Sequence, residues 1–430
     1  MLKAGFARVD ITPPLGTYLD GYFSIRPMSG VLDPLELNAI ALNDGEKTVV
    51  MIAADIIGIA MADVKHIKKK MFERLALHEE CVLLHAIHQH TTLRLDDKAV
   101  PDRQSAAYIE LLYTKFVDVA QMAIDDMKDS VLSSGEKETA EPIAFVRRYM
   151  LDDGRAVTNP QANEVPHIVS RLAEADNTVR LLRFKRKDAK DIALVNFSTH
   201  PDVVAGYKAS ADWPGFTRRF VEGDNSDVNC IFFTGAQGDS NHLDYIKGTK
   251  TGYEHSRRMG RIVADAVAEI WDKTTERRAD KLFASVSVIY NKSNTEGEEK
   301  YEEAVAFEKA RAEKTLGYNP TIEEMAYARR IINIRVSMTI YRPIPVAVIG
   351  IGEVIIAGFA GEAFTEYGAA VREAANGKFA LTFVLTNGSQ GYLPSAEAFA
   401  QGGYEAKSSH FTPELESQVI AEVKRLIDMI

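Results

Sequence analysis

The chain has 430 residues, of which 46% are apolar and 26% charged, and a formal net charge of −10. That is apolar material for one large core or two ordinary ones, and the acidic balance weighs against nucleic acid or an anionic membrane as the partner. No apolar run nears the roughly 18–20 residues that span a bilayer, so no membrane insertion is expected.

The opening MLKAGFARVDITPP lacks the long apolar stretch of an export signal and reads as structure from about the third residue. Asp10, before Pro13-Pro14, reads as a turn former. Strand-like runs follow at Leu37–Asp44, KTVVMIAADIIGI and CVLLHAIH. Helical spacings of three and four occupy ADVKHIKKKMFERLA and a long stretch from Ala106 to Val131. VRLLRFK, DIALVNFSTH and VNCIFFTGA are again strand-like, and SRRMGRIVADAVAEIWDK is helical. PVAVIGIGEVIIAGFAG and ALTFVLTNGS close the strand series, with helices over AFTEYGAAVREAAN and TPELESQVIAEVKRLIDMI. Runs this continuous have no wet face, so the strands are expected to be covered on both sides. The pattern predicts an α/β protein, mixed sheets covered by helices in a layered sandwich, with residues 1–430 as one large catalytic domain. A charged stretch at about 293–330 reads as two helices around Gly317-Tyr318-Asn319-Pro320, a surface excursion suited to a lid or an oligomer contact. Cys81 and Cys230 lie in apolar surroundings and read as buried thiols, so a cytoplasmic protein is expected.

Chemistry-bearing residues collect where apolar runs end. If Cys81–His90 is one strand, His88 and His90 share a face and His85 points away. The pair reads either as scattered core histidines or as two groups converging on a metal or a substrate. His200 ends a second run. Glu362 follows a third, where it is either a ligand or an acid favoured by the dipole of the next helix. Tyr392 follows a fourth, with a packing role as its ordinary reading. The FFTGAQGDSNHLD loop adds Gln237, Asp239 and Ser240, either a substrate loop or a turn. Two imidazoles and a carboxylate with room for water suit zinc, although other divalent metals accept the same set.

The order GFARVDITPPLG, HQH, VNFSTH, SADWPG, GAQGD, GEAFTEYG and NGSQGY resembles the N-terminal catalytic domain of the neutral/alkaline ceramidases, over nearly the whole chain. The resemblance implies a zinc-dependent amidase of the kind that cleaves N-acylsphingosine. It implies His88, His200, Glu362 and Tyr392 as metal ligands and His90 facing the reacting carbonyl. Asp212 would join His90 and Tyr392 as a catalytic group by shaping the pocket, and Arg147, Arg148 and Arg171 are candidates for substrate contact. The sequence departs from the family at Gln89 and at Thr91-Thr92-Leu93, and at Pro201-Asp202 after His200. The family's C-terminal immunoglobulin-like domain is expected to be missing, the last element being the helix that begins near Pro413. Without an export signal or a membrane-binding helix, the expected substrate is a small water-soluble acylated compound rather than ceramide. The expected activity is hydrolysis of an amide or an ester. Zinc would activate water and polarise the carbonyl, while His90 and the Tyr392 phenol donate to the oxyanion or leaving group. Asp55 and Asp202 are candidates to orient a ligand imidazole. A zinc-dependent isomerase, epimerase or lyase on a sugar-like compound remains open at this level, as do a non-catalytic binding protein and a homo-oligomer.

Overall fold

Alternating residues of the apolar runs enter two different cores, and that alternation fixes the layering. Ile52 and Leu84 pack with the helices on one side, whereas Met51 and Leu83 pack on the other. The computed structural model describes residues 1–24, 26–96 and 106–430. Its larger sheet contains β1 (Lys3–Asp10), β2 (Glu36–Asn43), β3 (Thr48–Ala54), β4 (Val82–Ala86), β5 (Lys128–Glu138), β6 (Thr178–Arg186), β7 (Asp191–Phe197) and β8 (Val228–Thr234). Their spatial order is β8-β7-β6-β5-β1-β2-β3-β4. A second sheet holds β9 (Leu282–Lys292), β10 (Tyr341–Ile351), β11 (Val354–Phe359) and β12 (Phe379–Phe383) in that order. The helices are α1 (Met61–Leu75), α2 (Ala106–Asp125), α3 (Asp212–Asp224), α4 (Tyr253–Trp271), α5 (Tyr301–Ala312), α6 (Ile322–Ser337), α7 (Thr365–Ala374), α8 (Ala396–Gln401), α9 (Tyr404–Ser408) and α10 (Leu415–Ile427). The fold is mixed α/β, as expected.

Within the two sheets, three strand pairs are parallel, and each is joined through a helix: β3–α1–β4, β7–α3–β8 and β11–α7–β12. Carboxyl ends of parallel strands are where α/β proteins place ligands. Here three such ends meet. The amide of Thr234, the last residue of β8, donates to His85 Nε2 in β4 at 3.0 Å, and the Thr234 hydroxyl donates to the Ile87 carbonyl at 2.9 Å. Val384, just past β12, lies 2.6 Å from His85 Nδ1 through its carbonyl and donates its amide to Thr234 at 3.2 Å. Phe233 and Phe383 stack beside them with centroids 4.2 Å apart. His85 is thus a structural tie, on the face away from the other histidines.

Four expectations change. Strand β4 stops at Ala86, so His88 and His90 lie on a loop rather than on one strand face. Helix α2 ends at Asp125, and β5 takes over from Lys128. That strand was not anticipated because its buried face is Ser130, Leu132 and Ser134, which leaves almost no apolar signal. The run from Pro345 to Gly361 is two antiparallel strands reversing at Gly352, whose φ of 56° suits glycine. Strand β9 also escaped notice, its outer face being wet.

The charged excursion is the helix pair α5 and α6 with its own small core of Ala304, Ala328 and Ile331. Its ends are pinned together where the Ser293 amide donates to the Ile340 carbonyl at 2.8 Å.

Candidate metal centre

After β4 the chain turns sharply. His88 donates its amide to the Ile56 carbonyl at 3.0 Å and takes φ of 79°, a region costly for a side chain with a Cβ. The turn brings His88 Nδ1 to 2.6 Å from the Ile57 carbonyl. A carbonyl only accepts, so Nδ1 carries the proton and a neutral ring leaves a lone pair on Nε2. His200, just past β7, repeats the arrangement, with Nδ1 2.8 Å from the Gln237 carbonyl and 3.0 Å from that of Ser240. Both Nε2 atoms face one oxygen: Glu362 Oε2 lies 3.2 Å from His88 Nε2 and 3.1 Å from His200 Nε2. The two rings are 5.2 Å apart, and Glu362 is 7% exposed.

Three acceptor atoms so close repel one another unless a positive charge, a shared proton or a metal ion, lies among them. Burial by itself would raise the Glu362 carboxyl, but the His88 and His200 imidazoles outweigh it and hold it well below the usual carboxylate range. Burial, followed by the Arg147 charge, pushes His200 down to about 4. Nδ1–H groups tied to backbone carbonyls, with free Nε2 lone pairs converging, are what metal-binding histidines present.

His90 completes a third side. Its ring is 5.2 Å from His88 and 5.9 Å from His200. One nitrogen from each of the three rings lies within 4.8 Å of the others, and all three residues are buried. Among the described residues neither His90 nitrogen has a hydrogen-bond partner, although Nδ1 points at Asp202 Oδ1 from 3.4 Å. Burial holds His90 well below 6.5, hence neutral. Tyr22 donates its hydroxyl to the same Asp202 oxygen and sets its ring edge-on to His90 at 5.3 Å. The Arg26 guanidinium donates to the His90 carbonyl at 2.7 Å.

Tyr392 is delivered beside Glu362 by a two-residue parallel pairing of Glu362–Ala363 with Tyr392–Leu393. Its ring is 6.4 Å from that of His200, and burial keeps its phenol protonated, well above 10. Arg147 stacks over this ring at 5.2 Å, donates to the Gly238 carbonyl at 2.8 Å and pairs with buried Glu405 at 2.8 Å.

The other expected residues sit farther back. Asp212 is fully buried, and both its oxygens are taken: Oδ2 by the amides of Val203 and Val204, Oδ1 by the Trp213 amide and the Ser256 hydroxyl. Arg148 is held by the Ala398 and Gly402 carbonyls, and Arg171 pairs with Asp244 at 2.8 Å. Asp239 accepts from the Thr365 amide and hydroxyl, and Ser240 donates its hydroxyl to the Ser198 carbonyl. The Gln237 side chain is buried with neither amide atom partnered. Asp55 does not orient an imidazole. It forms a buried pair with Arg218 at 2.6 Å, because α3 brings that guanidinium against the end of β3. Asp202 faces His90 rather than His88 or His200. Sequence reasoning missed Tyr22, Tyr404 and Glu405. They come from loops and from the short helix α9, with no motif to mark them.

The buried three-histidine group has the ligand types and spacing to hold a metal ion. The chain aligns with the neutral ceramidase of Pseudomonas aeruginosa at a TM-score of 0.71 and 15% identity, over 99% of this chain and 74% of that one. It aligns with a ceramidase complexed with C2 at 0.72 and 14%, with the same coverage. No protein-family profile and no curated protein sequence matches it. At such identity the likeness establishes the fold, which is that of the ceramidases.

Proposed function

We propose that this protein is a zinc-dependent hydrolase that cleaves an amide or ester bond in a water-soluble acylated compound. The observation that carries the reading is the convergence of His88 Nε2, His200 Nε2 and Glu362 Oε2 on one point, beside a His90 ring whose nitrogens are unpartnered. His88, His200 and Glu362 would hold the ion, with Tyr392 adjacent. When bound, zinc supplies the Lewis acidity that makes water nucleophilic near neutral pH and polarises a carbonyl.

The chain's own groups account for the proton traffic. With Nδ1 turned to Asp202, His90 presents Nε2 to take a proton from the attacking water and return it to the leaving nitrogen or oxygen. Tyr22 fixes Asp202 and so the angle of His90. Tyr392, kept protonated by burial, donates to the oxyanion. Arg147 holds that ring in place while Glu405 balances its charge. Asp212 acts as a positioning residue, gathering the Val203 and Val204 amides just beyond His200. Gln237, whose buried side-chain amide has no partner among the described residues, would bind substrate.

The test is elemental analysis of the purified protein, followed by a screen of N-acyl and O-acyl compounds with and without a chelator. Stoichiometric zinc and chelator-sensitive release of an amine or alcohol are expected. Metal-free protein that takes up no zinc, or turnover with no change in mass, would overturn the proposal.

A further inference from the structure

The helix pair α5–α6 touches both rims of the site. On one rim, Arg311 and Arg329 donate to the Phe23 carbonyl at 3.4 and 3.5 Å, and the Arg329 guanidinium lies over the Phe23 ring at 4.5 Å. Phe23 follows Tyr22, which holds Asp202 and touches His90. On the other rim, α6 packs on α9. Helix α9 carries Tyr404, whose ring is 5.4 Å from that of Tyr392, and Glu405, the partner of Arg147. A cleft of about 520 Å³ lies between α6 and the 155–164 segment and ends at Tyr404, one ring from Tyr392.

We infer that the α5–α6 pair is a cap over the candidate metal centre, and that the cleft between α6 and the 155–164 segment, charged on both walls, selects a compact, hydrophilic acylated substrate. This rests on the hydrolase reading above. Pockets of this size are ordinarily lined by apolar side chains. This one is evenly mixed: Arg155, Lys407, Glu164, Glu323 and Glu324 are interleaved with Val157, Ile322, Tyr327 and Tyr404, so no continuous apolar track runs along it. Laying an acyl chain along those groups would strip their water without replacing it. Groups that hydrogen-bond on both sides of the scissile bond suffer no such loss. The cap is built to move as a unit. It has a core of its own, its ends are pinned to each other, and it reaches the Phe23 carbonyl through two long hydrogen bonds while α6 stays packed on α9, so the Phe23 side is the one that opens.

The test pairs two readouts. The first is the rate at which diethyl pyrocarbonate modifies His90, followed by peptide mass spectrometry, in the wild type and in the double variant Arg311→Ala/Arg329→Ala. Both arginines lie on the cap surface, so the fold should survive. Opening the cap is expected to speed His90 modification several-fold, with exposed His167 unchanged as the internal control. Equal His90 rates overturn the cap. The second readout compares release of ethanolamine from N-acetylethanolamine and from N-dodecanoylethanolamine by zinc-loaded protein. At least a tenfold preference for the acetyl compound is expected in the wild type, shrinking in the double variant. Equal rates on both overturn the polar-wall selection while leaving the hydrolase reading intact. Hydrolysis of neither sinks that reading and the substrate class with it, and the His90 rates then decide the cap alone.

Discussion

Acid should weaken this fold through His85 in an amount that can be calculated. The ring is fully buried. Its Nδ1–H donates to the Val384 carbonyl and its Nε2 accepts from the Thr234 amide, so both nitrogens are committed only in the neutral form. Burial, the largest influence, pushes the ring down to about 3. In the unfolded chain it titrates near 6.5. The folded value is depressed, so the stabilisation is complete above about pH 6.5 and is lost as pH falls from there towards 3. The unfolded state takes up the proton first. For one such group the loss between pH 8 and pH 5 is about 2 kcal/mol. Urea unfolding of metal-free protein at those two pH values, wild type against His85→Leu, isolates the term because every other histidine is common to both. The variant is expected to be weaker at both, since it orphans the Thr234 amide and the Val384 carbonyl, yet to lose about 2 kcal/mol less on acidification. The same pH slope in both proteins would show that His85 is not held neutral between the strand ends, and the account of how they meet would fail.

Three further outcomes bear on the centre and its supports. Glu362→Gln should abolish most of the thermal shift caused by added zinc. At a hundred times Kd that stabilisation is about 2.7 kcal/mol, and a hundredfold weaker site leaves only about 0.4; an undiminished shift removes Glu362 from the ligand set. Gly238→Ala should also weaken zinc binding, measured by competition with a chromogenic chelator, because the new Cβ would lie 2.9 Å from the Glu362 carbonyl carbon and must push that backbone aside. Unchanged affinity would mean the loop yields freely. Arg218→Met leaves the Asp55 carboxylate buried without its partner and should cost roughly 3–5 kcal/mol in denaturant unfolding. A loss below about 1 kcal/mol would show that Asp55 is stabilised some other way.

The sequence by itself determined the alternation of strands and helices, and it marked where the reactive side chains would sit. Burying both faces of a strand demands an unbroken apolar run, and such runs are legible, as in DIALVNFSTH before His200 and VIIAGF before Glu362. It set His85 apart from His88 and His90, but a period-two reading carried the strand four residues too far, from Ala86 to His90. The left-handed turn at His88 depends on the Ile56 and Ile57 carbonyls, which come from a different strand end. Strand β5 was invisible for the opposite reason: a buried face of Ser130, Leu132 and Ser134 has no hydrophobic period. Only the tertiary structure decided that Asp55 answers to Arg218 and Asp202 to His90, that both oxygens of Asp212 are spent on backbone amides and the Ser256 hydroxyl, and that α5–α6 reaches Phe23 on one rim and α9 on the other. Each of these is a contact between segments far apart in the chain, set by the approach of three strand ends, and local sequence carries no term for such an approach.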